Sequence, residues 1–361
     1  MREDPGRNGL TPWSPAALGC FKPLSGIEEQ EARWVIPGWM PAEQITLLAA
    51  DGGVGKTALW VSLLAALSSG RPCFLDPPGL EREAMDVAFL TTEDSVSKKL
   101  KRKLRLAGAD ERRIITMDVG ADALGALRDF KLGLPLVDEF VRCYRPAVCV
   151  FDPIQGFLPP EVNMGSRNAM RDCMAPLIAL GEECAVSFLI VCHTNKRRGA
   201  AGRERISDSA DLWDVARCVH MAGDAGNGLR YLSNEKNNYA PLCRTRLFRI
   251  DENGLVVPAG ETEKRDRDFV QELERRAAPS RAACREWVLD RLSGGEMPLK
   301  TLYEEAEGMG FKEKTVERAM TELYQSARAK SRQTGNNTNR RWSVFLLPGA
   351  DRQMGESGAN P

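Results

Sequence analysis

The sequence predicts an α/β fold, a parallel sheet with helices on both faces, followed by a smaller and mainly helical C-terminal unit. Between residue 34 and about residue 259, short apolar runs rich in β-branched and aromatic residues alternate with amphipathic helical stretches, the pattern of βαβ units. A glycine-rich run, ADGGVGKT at 50–57, joins one such strand to one such helix. Further on, the highly charged stretch ETEKRDRDFVQELERR separates this region from a second pattern of short helices and a basic segment.

Taken in order, residues 1–33 are rich in proline, glycine and charge without periodicity and read as a flexible N-terminal arm. Strands are expected at 45–49, 86–91, 114–117, 147–151, 185–192 and 229–233, and helices at 56–68, 95–107, 135–143 and 168–184. Together these make an α/β domain spanning 34–259. The charged stretch followed by Ala-Ala-Pro-Ser reads as a linker over 260–280 that ends in a break. From 281 to 348 the expected order is helix, helix, helix, then a basic hairpin ending WSVFLL, which is the order of a winged helix-turn-helix. Residues 349–361 read as a disordered tail.

Composition narrows the function classes. Fifty basic and fifty acidic residues cancel, so attraction to a polyanion must come from local patches. Ten scattered cysteines without a C-x-x-C pair, and only two histidines, point to neither a zinc site nor a disulfide framework and suit a reducing cytoplasm. With no apolar h-region after the N-terminus and no apolar run long enough to span a bilayer, the expectation is a soluble protein without a membrane partner.

Three segments carry chemistry. In the loop of Ala50, Asp51, Gly52, Gly53, Val54, Gly55, Lys56, Thr57 and Ala58, the glycines let backbone N–H groups turn toward phosphate oxygens at a helix N-terminus. Lys56 suits the β- and γ-phosphates and Thr57 suits Mg²⁺, so a nucleoside triphosphate such as ATP is the expected ligand. Ala50 stands where glycine is more usual. VCVFDP ends its strand on Asp152, a carboxylate suited to the same Mg²⁺, although any buried strand can end in Asp before a turn. VAFLTTED places Glu93 just past the second strand, where it is either a base for the attacking water or a surface acid, and Asp94 where it would cap the next helix.

These motifs, with WVIPGWMP before the first strand, CHTNK after the strand ending at 192, SDSADLWDVAR and NEKNNYAP, resemble the RecA-like P-loop ATPases of the RepA replicative helicase type over about residues 34–257. The resemblance implies that Glu93 is the catalytic base, Asp152 the Mg²⁺ partner and His193 a γ-phosphate sensor. It implies that Arg217 is an arginine finger serving the neighbouring subunit and Lys236 a second trans-acting cation, in a homo-oligomeric, hexameric ring. Asn238 stands where some replicative helicases carry another arginine. The resemblance also places the basic segment NKRRGAAGRER, with Lys196, Arg197, Arg198 and Arg203, at a channel for single-stranded DNA. In the C-terminal unit, Lys314 and Arg318 on the third helix and Arg340 and Arg341 in the wing are the candidate DNA contacts, with a replication protein as the alternative partner. The implied activity is that of an ATP-driven helicase. Two alternatives stay open: a recombination or repair ATPase that does not unwind, and a nucleotide-gated DNA-binding regulator.

Overall fold

The computed structural model describes residues 23–117, 130–160, 162, 167–195, 200–206, 210–334 and 341–348. A short hairpin, β1 (Trp34–Ile36) and β2 (Met40–Pro41), leads into β3 (Ile45–Ala50), α1 (Lys56–Ser69) and β4 (Val87–Thr91). A π-helical turn (Val96–Leu100) runs into α2 (Lys101–Leu106), and β5 (Ile114–Thr116) follows. Next come α3 (Pro135–Tyr144), β6 (Val148–Asp152), α4 (Arg167–Cys184), β7 (Ser187–His193), α5 (Ala210–Val215) and β8 (Cys218–Gly226). Three further strands complete the sheet: β9 (Leu229–Asn237), β10 (Thr245–Ile250) and β11 (Val256–Thr262).

The sheet order is β11-β10-β9-β8-β3-β7-β6-β4-β5, with β8 through β5 parallel and β9 to β11 attached antiparallel. Its central strands are buried on both faces, which is why they read as nearly continuous apolar runs. Ile45, Leu47 and Phe151 pack against α3 and α4 on one side, while Leu48, Phe89 and Val150 pack against α1 and α2 on the other. The strands at 218–226, 245–250 and 256–262 were not expected from sequence. β8 is interrupted by His220, Gly223 and Asp224, and β11 is an exposed edge strand carrying Pro258, so neither shows a strand-like hydrophobic signal.

Beyond the sheet, α6 (Asp266–Ser293) is one helix that runs unbroken through 277–280, where a linker break was expected. Tertiary packing at both ends explains the difference: Phe269 stacks on Tyr231 at one end, and Cys284, Val288 and Leu292 enter the C-terminal core at the other. That core also takes in α7 (Leu299–Gly308), α8 (Glu313–Gln325) and a three-stranded sheet ordered β12-β14-β13, from β12 (Met297–Pro298), β13 (Ala329–Thr334) and β14 (Arg341–Leu346). Among the described residues no helix is long and apolar enough to cross a membrane.

Candidate nucleotide site

Because β3, β4, β6 and β7 are parallel, their carboxyl ends open at one edge of the sheet, where each delivers a side chain. Ala50 pairs with His193 and Thr91 with Asp152 in the strand register. The strand order inserts β7 between β3 and β6, so His193 sits between the phosphate loop and Asp152. The loop itself depends on glycine at Gly55, which caps α1 with φ +106°, a left-handed conformation that a side chain would strain.

Lys56 lies folded over the loop, its Nζ donating to the carbonyls of Ala50 (2.8 Å) and Asp51 (3.0 Å) and to Nδ1 of His193 (3.1 Å). An ammonium can only donate, so Nδ1 accepts and the imidazole proton resides on Nε2, which faces Oε1 of Glu93 at 3.2 Å. His193 thus bridges Lys56 and Glu93 in a fixed tautomer. Burial lowers the Lys56 pKa against the opposing attraction of Asp152, Cys192, Glu93 and Asp51. Asp152 is only 6% exposed and accepts a 2.6 Å hydrogen bond from Trp60 Nε1. Burial raises the Asp152 pKa, and the nearby Glu93 charge adds to the shift.

The donor set suits Mg²⁺. Asp152 is a buried carboxylate disfavoured by its surroundings, and the Thr57 hydroxyl at the start of α1 makes no hydrogen bond among the described residues. No cluster of three or more His, Cys, Asp or Glu side chains forms a cage among those residues, so the ion's remaining ligands would be nucleotide oxygens and water.

Asp94 does not cap the following helix. It pairs with Lys99, and Ser95 is the cap, its Oγ accepting from the Lys98 N–H at 3.2 Å. The reason is positional: Ser95 is the residue directly before the first helical turn, and Asp94 is one too early.

Arg217 occupies the opposite edge of the sheet. Its N–H donates to the Ile45 carbonyl at 2.9 Å, at the start of β3, so it lies a full strand of roughly 16 Å from its own phosphate loop at ~3.3 Å per residue. Lys236 is beside it and places its ammonium on the carbonyls of Trp213 (2.9 Å), Asp214 (3.1 Å) and Ala216 (2.7 Å). Lys236 therefore terminates α5 and steadies the segment carrying Arg217, with its three protons already committed. Burial lowers its pKa, and Arg217 and Arg203 repel it while Asp214 attracts it.

Arg203 pairs with Asp214. Lys196, Arg197, Arg198 and Arg340 lie outside the described residues, and Arg341 is described through its backbone alone. Lys314 and Arg318 are exposed at i and i+4 on α8, interspersed with the exposed acids Glu313 and Glu317.

Sequence reasoning missed Trp60, Thr194 and Arg205, and it read Asp51 only as a member of the glycine loop. Trp60 orients Asp152 from the second turn of α1. Asp51 accepts from Thr194 Oγ1 and from Arg205 (3.0 Å), and Arg205 is a nearly buried guanidinium that also reaches Asp266 and Tyr231. Trp60 carries a usable signal, a lone polar-edged aromatic in an apolar helix. Arg205 looks like one more cation in a basic run.

Residues 23–199 match the family model described as an AAA domain. The chain is 22% identical over 267 residues to the DNA repair protein RadA of Halalkalibacterium halodurans, covering 69% of this chain and 50% of that protein. It is 23% identical over 263 residues to the DNA repair protein RadA of Mycolicibacterium smegmatis, covering 69% and 49%. The chain thus spans about half the length of the curated relatives it matches. Among solved structures, a KaiC-like protein from Pyrococcus horikoshii OT3 aligns with TM-score 0.43 at 18% identity, covering 63% of this chain and 100% of that one.

Proposed function

We infer that this chain, a RecA-like P-loop ATPase, is a DNA-directed motor that hydrolyses ATP at sites shared between subunits of a homo-oligomeric ring. The carrying observation is the division of residues between the two sheet edges. Lys56, Thr57, Glu93, Asp152 and His193 converge at one edge, and Arg217 stands unpaired among the described residues at the other, out of reach of its own loop.

In this reading the backbone of residues 51–55 wraps the phosphates and Lys56 leaves the Ala50 and Asp51 carbonyls for the β- and γ-phosphate oxygens. Thr57 and Asp152 would hold Mg²⁺, which would supply positive charge against the phosphates. Glu93 orients the attacking water and takes its proton at a carboxylate oxygen. His193 loses its Lys56 partner when the lysine moves, so its ring senses the presence of the γ-phosphate. A neighbour's Arg217 stabilises the charge developing on the transferred phosphoryl group.

The C-terminal unit is proposed as a winged helix that binds DNA through Lys314, Arg318, Arg340 and Arg341, or docks a replication partner. The segment holding Lys196, Arg197, Arg198 and Arg203 is proposed to line a path for single-stranded DNA, and the ring is proposed to be a hexamer. Strand separation, as in RepA-type helicases, is one form of this motor. The other is a repair ATPase that remodels DNA without unwinding, a reading favoured by the names of the curated relatives reported above.

The test is ATP turnover with and without single-stranded DNA, for wild type, Glu93→Gln and Arg217→Ala at several protein concentrations. The expected result is DNA-stimulated turnover that rises with protein concentration and falls by about 10²–10⁴-fold in Glu93→Gln, with nucleotide binding retained. Slow turnover indifferent to DNA and to Arg217 would sink the motor. A strand-displacement assay then separates helicase from repair ATPase.

A further inference from the structure

The polar network behind the phosphate loop contains an arrangement that the hydrolysis scheme leaves unused. Asp51 is the second residue of the loop, and its carboxylate is held from behind by Thr194 Oγ1, next to His193, and by Arg205. Arg205 is 6% exposed. Its other guanidinium nitrogen donates to Oδ1 of Asp266, the first residue of α6, and to the Tyr231 hydroxyl at 3.1 Å. Asp266 is fully buried and accepts also from Tyr231 (2.6 Å) and from the Gly202 N–H (2.8 Å), while its own N–H donates to Glu235 (3.0 Å). Tyr231 stacks on Phe269, one turn into the same helix, with ring centroids 4.2 Å apart. A single buried cation therefore joins the phosphate loop to the start of the helix that enters the C-terminal core.

We propose that Arg205 is a positioning residue for the phosphate loop and that it passes the loop's nucleotide state to the first turn of α6. The proposal rests on the ATPase reading of the site. Lys56 donates to the Asp51 carbonyl when it lies over the loop, and a bound triphosphate draws the lysine off that carbonyl onto phosphate oxygens. Asp51 is then tied by its side chain to Arg205 but relieved at its backbone, so any shift of the loop is delivered to the guanidinium. Arg205 shares its charge between two acids, Asp51 at 44% side-chain exposure and Asp266 at 0%. A guanidinium fork holds both at once, and moving one acid alters its hold on the other. This is a contiguous hydrogen-bonded network from the loop to the start of α6, the kind of path along which two sites can be coupled. Burial opposes the Arg205 charge but Asp266, Tyr231 and Asp51 outweigh it, so the cation persists throughout.

The experiment is a double-mutant cycle on Asp51→Asn and Arg205→Met, reading the affinity for a non-hydrolysable ATP analogue with Mg²⁺, together with hydrogen exchange of residues 264–272 with and without the analogue. Each single variant is expected to weaken binding about tenfold, and the double variant no more than the weaker single. In wild type the analogue changes exchange over 264–272. In Asp51→Asn that change is lost even at saturating analogue, which a merely structural role for Asp51 would not produce. Arg205→Met leaves Asp266 buried without its cation and is at risk of not folding; Asp51→Asn, at a half-exposed position, keeps the test decisive. Unchanged affinity in Asp51→Asn with the exchange response intact overturns the proposal and leaves the ATPase reading standing. A wild type that binds no ATP analogue overturns both.

Discussion

Two residues show how burial at the site and in the core sets the pH behaviour of this chain. Asp152 carries a raised pKa because it is buried beside another carboxylate. As pH rises above the ordinary carboxylate range, the unfolded chain gives up this proton before the folded one, so Asp152 costs stability in its charged form. Asp152→Asn is therefore expected to raise the melting temperature of the nucleotide-free protein at neutral pH by roughly 2–4 °C. The same variant loses Mg²⁺-dependent nucleotide affinity. Calorimetry paired with a binding titration checks both halves. His220 behaves in the reverse sense. It is buried against Trp39, whose carbonyl accepts from Nε2 at 2.8 Å, and desolvation lowers its pKa from 6.5 to about 4. Protons bind the unfolded state more readily between these values, so its contribution is present above pH 6.5 and is lost as pH falls toward 4. At most about 3 kcal/mol rides on this group. Urea unfolding of His220→Gln is expected to show a flatter pH profile between 6.5 and 4 than wild type.

At the scale of elements, the two ends of the parallel strands carry different residues. Their carboxyl ends hold Asp152 and His193 at the proposed nucleotide site, and the amino end of β8 presents Arg217 on a turn secured by Lys236 under α5. Lys236→Met keeps the apolar stem but leaves three carbonyls without their donor, a loss of about 1–3 kcal/mol where they are shielded from water. Turnover is expected to fall with KM for ATP little changed, because the lysine is remote from the phosphate loop of its own subunit. A second close approach fixes the Glu93 turn. A Cβ on Gly156, in the loop after β6, would meet Thr92 Oγ1 at 2.2 Å, so only glycine lets that loop seat against the residue before Glu93.

For the whole molecule, the separation of Arg217 from its own phosphate loop makes a prediction about mixtures. Glu93→Gln subunits retain a working Arg217, and Arg217→Ala subunits retain a working Glu93. If sites form between subunits, mixing the two inactive variants restores activity at interfaces that combine the intact halves. Random assembly in equal proportions gives about a quarter of wild-type turnover in a closed ring of head-to-tail interfaces. Titrating one variant into the other under turnover conditions measures it, and a mixture no more active than its components would place the whole site within one chain.

The chain's local patterns determine much of this protein. The glycine loop, the apolar runs ending in Asp152 and His193, and the helix register of α1 are set by residues close in sequence, and the strands from β3 to β7 and the positions of Lys56, Thr57, Glu93 and Asp152 are legible there. Tertiary structure alone decided which strands are neighbours. That choice places His193 between Lys56 and Glu93, brings Trp60 to Asp152 across 92 residues, and joins Asp51 to Arg205 across 154. It also decided that Lys236 caps a helix and that α6 continues through its proline. Each depends on burial and pairing between distant segments, where the energy of a polar group is set by the partner that folding delivers rather than by its neighbours along the chain.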